Sequence, residues 1–153
     1  MTVHILIDGD ACPVKEEIYR VAYRRNVPVK LVSNSPIRIP DHPLITRQVV
    51  SDSFDAADDW IAQRADAQSV VITSDILLAD RCLKSGAAVI GNNGKPFTND
   101  SIGGAIATRA IMADLRAGAG ENIGGPKPFT GADRSRFLQA LDNAVTKLMR
   151  AHC

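Results

Sequence analysis

The chain has no long apolar run. Nothing in its 153 residues approaches the roughly 20 consecutive apolar positions that a bilayer span requires, so no membrane partner is expected. Its opening stretch, MTVHILIDGDACP, has no basic segment and too short an apolar one for a secretory signal, which makes the cytoplasm the expected location. Cysteine is scarce: Cys12, Cys82 and Cys153 are odd in number and lack a C-x-x-C or similar metal spacing. That argues against a disulfide framework or a thiolate zinc site and leaves reduced, buried or terminal thiols. An excess of one charge is missing too, since 18 Lys and Arg against 17 Asp and Glu leave a net +1. No global field therefore steers the molecule to a polyanion, and any nucleic-acid contact must come from a local patch. Internal repeats and low-complexity segments are absent.

What is present is ordinary for a globular domain, at 45% apolar and 23% charged residues. A chain of this length buries about two-thirds of its unfolded surface, enough for one core. A single domain over 1–153 is expected, with a C-terminal helix of about 131–150 docked on it. Val3–Ile7 reads as a strand leading into the turn Asp8-Gly9-Asp10. Pro13 suits the first turn of a helix running to about Arg25, with Asn26 as a left-handed cap. Val27–Val32 is the second strand, followed by the loop Ser33-Asn34-Ser35, and Pro36, Pro40 and Pro43 hold the next stretch extended. Leu44–Val50 is a third strand, Asp55–Ala65 a helix, Ser69–Thr73 a buried β-branched strand, and Ile76–Lys84 a helix closed by Gly86. Ala87–Ile90 is a further strand ending in the turn Gly91–Gly94, and Ser101–Arg116 is an Ala-rich helix. After the Gly- and Pro-rich loop Gly118–Phe129, Thr130 and Asp133 resemble a capping box opening the last helix, whose apolar stripe includes Phe137, Leu141 and Val145. Strands alternating with helices at this spacing predict a three-layer α/β fold, a mainly parallel sheet with helices on both faces. Right-handed crossovers then place every strand's carboxyl end on one edge, where such sheets bind ligands.

That edge collects acids. Asp8 and Asp10 leave the first strand, Asp55 and Asp58 open a helix, and Asp75 follows the SVVIT strand, with Ser33, Asn34, Ser74 and Asn92 on the flanks. Each has an ordinary reading alone: Asp55 as an N-cap, Asp75 as an acceptor for turn amides. Asp59, Asp66 and Asp80 read as solvated surface charges. Asp58 leans toward the apolar side of its helix and needs a partner. Clustered carboxylates repel one another unless a cation sits between them, and oxygen ligands without His or thiolate favour Mg²⁺ or Mn²⁺. The chemistry expected of Asp8, Asp10, Asp55, Asp58 and Asp75 is metal-assisted hydrolysis of a phosphate ester, with catalysis carried by Asp8, Asp10, Asp58 and Asp75. Lys15 in the first turn of its helix, where the dipole disfavours a cation, suits a bound phosphate, and Lys127 lies in a loop able to reach the same edge.

DGDACPVK at 8–15, SFDAADDWI at 53–61, VVITSD at 70–75, GNNGKPFT at 91–98 and GGPKPFTGADRSRF at 124–137 together resemble the YaiI/YqxD family of bacterial proteins, across nearly the whole chain. The resemblance implies kinship with PIN-like nuclease folds, which cut RNA with Mg²⁺ or Mn²⁺ held by acids. It maps Asp8 and Asp10 on the acid after the first strand, Asp55 and Asp58 on the mid-chain helical acids, and Asp75 on the acid after the later central strand. A late acid is missing unless Asp80 serves. Two other functions stay open. Asp8-Gly9-Asp10 after a first strand is also the nucleophile signature of haloacid-dehalogenase phosphatases, with Ser33 and Lys84 as the other candidates. A non-catalytic RNA- or protein-binding domain is the third reading.

Overall fold

The computed structural model describes residues 2–9, 12–53, 55–108 and 130–151. Its elements in chain order are β1 (His4–Asp8), α1 (Lys15–Arg25), β2 (Val29–Ser33), β3 (Ile45–Val49), α2 (Ala56–Arg64), β4 (Ser69–Ile72), α3 (Ile76–Lys84), β5 (Ala88–Ile90) and β6 (Pro96–Phe97). A helix over residues 99–108, here α4, and α5 (Gly131–Ala151) complete them. The sheet order is β3-β2-β1-β4-β5-β6, parallel except for β6. The expected three-layer α/β architecture is therefore present. Strand order reverses between β1 and β4, as in doubly wound dinucleotide-binding folds.

Period-two alternation assigns each strand residue to a layer. Ile5, Ile7, Val29, Leu31, Val70 and Ile72 join one core cluster with Ile18 and Val21 of α1 and Phe137, Leu141 and Val145 of α5. Leu6, Val32, Val71 and Val89 face the other way, against Ala57 and Ile61 of α2, Leu78 and Cys82 of α3 and Ile102 of α4. Residues 34–44 link β2 to β3 without a helix, and Ile37, Ile39 and Leu44 of this link pack on the α1 face, as the three prolines suggest.

Local chemistry sets the helix ends. Asn26 stops α1 in the left-handed conformation at φ 56°, its N–H donated to the Ala22 carbonyl. Thr130 and Asp133 exchange N–H to side-chain bonds of 2.9 and 3.1 Å at the start of α5, the expected capping box. A similar exchange between Thr98 and Ser101 starts α4 at residue 99, two residues before the sequence reading placed it. The rest of the expected Ser101–Arg116 helix and the Gly118–Phe129 loop lie outside the described residues. β6 has no counterpart in the sequence reading. Cys12 and Cys82 are free and buried, and burial pushes both thiols up to about 11, which keeps them unreactive.

Candidate active site

The reversal of strand order opens a cleft of about 520 Å³ on the α2–α3 side of the sheet. Parity explains why Asp8 reaches it. Asp8 continues the His4–Leu6 series and pairs with Val32, so its side chain points to the α2–α3 layer and away from α1. Thr73, the first residue past β4, follows Val71 on the same face and is buried; its hydroxyl donates to Asp8 Oδ2 at 2.9 Å. The Thr73 hydroxyl oxygen in turn accepts the Asp75 N–H at 3.0 Å. One threonine thus ties the chain ends of β1 and β4 together and fixes the Asp8 carboxylate. Gly9 lets the chain turn there: a Cβ would stand 2.6 Å from Leu31 Cδ2 and 3.0 Å from the Val32 carbonyl oxygen, a backbone atom that cannot yield.

Asp75 N-caps α3, with Oδ1 accepting the N–H groups of Leu77 and Leu78 at 3.0 and 3.3 Å. It also stands beside Asp58, from the first turn of α2, close enough for the two carboxyl groups to act on one another. Burial, then the charges of Asp75, Asp8 and Asp55, push Asp58 up to about 6, so that Asp58 holds its proton well above the ordinary carboxylate range. Asp55 lies at the N-cap of α2 but makes no side-chain cap bond, and its backbone is left-handed at φ 71°. Its carboxylate lines the cleft instead, on a backbone conformation that Asp and Asn adopt more readily than other non-glycine residues.

Asn34 also lines the cleft, its amide donated to the Ser51 carbonyl at 2.8 Å. Asp52, Ser53 and Arg81 join it, none of which the sequence reading chose. Arg81 carries positive charge into the cleft and bonds Asp59 at 2.9 Å, so Asp59 is exposed, as expected, but paired. Thr73 was also missed; its signal, a hydroxyl one residue past a buried strand beside Asp8, becomes readable only once β1 and β4 are known to be neighbours.

Other expected site residues fall elsewhere. Ser33 shares the parity of Leu31, is fully buried, and donates its hydroxyl to the Ser35 carbonyl. It therefore does not line the cleft, although it was expected on the flank of that edge. Lys15 begins α1 and is not part of the lining. Ser74 Oγ accepts the Asn92 N–H at 3.4 Å beside the cleft, outside its lining. Asp80 is bound to Lys84 at 2.9 Å and does not supply the late acid. Asp66 is no solvated charge: its Oδ1 accepts from the Gln68 N–H and the Ser69 hydroxyl at the turn into β4. Asp10 and Lys127 lie outside the described residues.

Among the described residues, no three His, Cys, Asp or Glu side chains converge closely enough to hold a metal ion between them. What exists is a close acid pair, Asp58 and Asp75, with the charges of Asp8 and Asp55 also acting on Asp58. A hydrated Mg²⁺ is commonly held through only one or two carboxylates and its own waters, so this donor set suits such an ion and offers no tetrahedral zinc site.

A family model described as "Uncharacterized BCR, YaiI/YqxD family" matches residues 6–147. The chain is similar to a UPF0178 protein of Sphingopyxis alaskensis, 71% identical over 146 residues and 95% of each chain. A UPF0178 protein of Jannaschia is 59% identical over 145 residues, 94% of this chain and 93% of its own. One from Nitrobacter winogradskyi is 56% identical over 149 residues, 97% and 94% of the two chains. No solved structure matches.

Proposed function

The chain belongs to the YaiI/YqxD family, and we propose that it is a Mg²⁺- or Mn²⁺-dependent hydrolase of phosphodiesters, with RNA as the favoured substrate and kinship to PIN-like nucleases. The observation behind this reading is that Asp8, Asp58 and Asp75 meet in one cleft at the reversal of strand order, close enough for their charges to act on one another. Carboxylates gathered this way have an unfavourable mutual field that a divalent cation relieves.

Asp58 and Asp75 would hold the ion together with its own waters, with Asp8, Asp10 and Asp55 as the further acids of the set. When bound, it supplies positive charge against the phosphodiester and lowers the pKa of water. The residues around it have separate tasks. Thr73 and the α3 amides hold Asp8 and Asp75 in fixed orientations, so that the site is set before substrate arrives. Arg81, the cation among the described residues of the lining, is placed to exchange Asp59 for a substrate phosphate. The haloacid-dehalogenase alternative is poorly served, because Ser33 faces away and Lys84 ends α3 in an ion pair with Asp80.

The test is cleavage of labelled single-stranded RNA by the purified chain. Activity should require Mg²⁺ or Mn²⁺ and fall at least about a hundredfold in Asp8→Asn, Asp58→Asn and Asp75→Asn, since even the outer partners of metal ligands are commonly worth 10–100-fold. Cleavage without metal, or equal cleavage by all three variants, would leave the reading without support. An aspartyl-phosphate on Asp8, trapped with beryllofluoride, would establish the phosphatase instead.

A further inference from the structure

The same face of the sheet carries a second hollow at the opposite end of β1, of about 230 Å³. His4, Lys30 and Thr46 contribute to it from three adjacent strands, and Trp60 and Arg64 from α2. Leu6 pairs with Lys30 and Lys30 with Thr46, so these side chains share the parity that aims Asp8 at the acidic cleft. The Arg64 guanidinium carbon lies 3.9 Å from the centre of the Trp60 ring, and Lys30 Nζ lies 5.7 Å from it. Stacking of Arg64 on Trp60 one turn earlier is a common way to support a helix. Lys30 belongs to β2, however, and no helix rule brings it to the same ring. Neither cation is paired with a carboxylate among the described residues. Two cations around one aromatic ring, without an acid between them, have the chemistry that binds stacked bases and their phosphates.

We propose that Trp60, Arg64 and Lys30 form a second contact for single-stranded nucleic acid, stacking an unpaired base on the Trp60–Arg64 surface and holding adjacent phosphate with the two cations. The inference rests on the reading of the acidic cleft as a phosphodiester site and names where the strand is gripped. A polyanion is repelled by the carboxylates of the cleft, and the net charge of +1 provides no general attraction. A local basic and aromatic patch answers both problems. His4 and Asp8 are four residues apart on one strand, so the patch is about 13 Å from the cleft, within reach of one short oligonucleotide. A duplex keeps its bases stacked inside and offers none to the ring.

Trp60 is the only tryptophan of the chain, so intrinsic fluorescence reports on this one position. The full chain would be titrated with end-labelled single-stranded RNA of about 12 nucleotides, a usual site size. EDTA prevents cleavage, and label anisotropy and tryptophan emission are read together. Both signals should saturate together, and a duplex of the same sequence should not quench. Trp60→Leu should weaken binding roughly five- to a hundredfold, the range for loss of one base stack. Arg64→Ala and Lys30→Ala should each lower the slope of log affinity against log salt by about one. Arg150→Ala, near the end of α5 on the other face, should leave binding as it is. Binding without quenching, or equal weakening by Arg150→Ala, overturns the proposal, as does equal quenching by polyglutamate, which would indicate an acidic protein partner. Metal-dependent cleavage without quenching removes this contact and keeps the nuclease; quenching without cleavage does the reverse.

Discussion

Asp58 retains its proton to about pH 6, where an ordinary aspartate has lost it near 3.8. The folded state thus binds this proton more tightly than the unfolded chain does, and stability must fall as pH rises through that window. Below about pH 4 the carboxyl is protonated in both states and the cost is absent; above about pH 6 it is fully present. A shift of two units corresponds to about 3 kcal/mol at most. Asp58 is only half-buried at the wall of an open cleft, and solvent screening reduces that to about 1 kcal/mol. In chelator, Asp58→Asn should be more stable than wild type by about this amount at pH 7 and no more stable at pH 3.5, measured by urea unfolding. A difference independent of pH would show that the gain comes from packing and not from the carboxylate field.

At the scale of elements, most of the fold was legible because each segment has a strong local signal. Ile76–Lys84 was bounded correctly by its periodicity and by Gly86, and Asn26 and the Thr130–Asp133 pair marked their helix ends. β6 has two residues and is held by pairing with β5, information that no local pattern carries. Asp8, Asp55, Asp58 and Asp75 of the cleft were readable from topology alone, since they follow strand ends or open helices, whereas Asp52 was not. Ser33 was not, because its face depends on the register between β1 and β2, where Ile7 lies beside Leu31. Thr73 and Arg81 depend on which strands and helices are neighbours. The GNNGKPFT motif likewise has its explanation in packing. Gly94 has φ 82°, and a Cβ there would lie 3.0 Å from Phe137 Cα and 3.1 Å from Phe137 N, both backbone atoms of α5. Phe137, Leu141 and Val145 of that helix are fully buried. Gly94→Ala should therefore lift α5 and cost about 2 kcal/mol or more, combining overpacking with left-handed strain. Gly103→Ala, with nothing within 4 Å and a helical backbone, should instead stabilise by about 0.5–1 kcal/mol. Thermal or urea melts read both, and a Gly94→Ala protein as stable as wild type would remove the steric account.

Across the whole molecule the near-neutral charge conceals a separation. Parallel strands and right-handed crossovers start α1, α2 and α3 at the carboxyl edge and end them at the opposite one. Glu16 and Glu17 open α1 and Asp58 and Asp59 open α2, while Arg24 and Arg25, Arg64 and Lys84 occupy the last turns of the three helices; Arg81, also in the last turn of α3, instead reaches back to Asp59 and the cleft. α5 runs alongside α1, as Arg134 reaches the Pro13 carbonyl and Asp142 pairs with Arg25 at 2.8 Å, and it adds Asp133 and Arg150 in the same sense. Each helix gains from this order through its dipole, but the acids of the cleft are left facing one another. Two kinds of salt should relieve that repulsion differently. Sodium chloride screens all the charges and weakens the ion pairs too, so its effect on the melting temperature should be small. Mg²⁺ held by the Asp58 and Asp75 carboxylates would bind only the folded chain and stabilise it in proportion to the logarithm of its concentration over its dissociation constant. At an Mg²⁺ concentration ten times that constant the gain is about 1.4 kcal/mol, and a domain of this size shifts by about 2–4 °C per kcal/mol. Wild type should therefore melt several degrees higher in MgCl₂ than in NaCl of equal ionic strength, and Asp58→Asn/Asp75→Asn should melt alike in both. An equal rise in the double variant would place the ion elsewhere on the molecule, and no rise in wild type would mean that these carboxylates, crowded as they are, do not gather a cation.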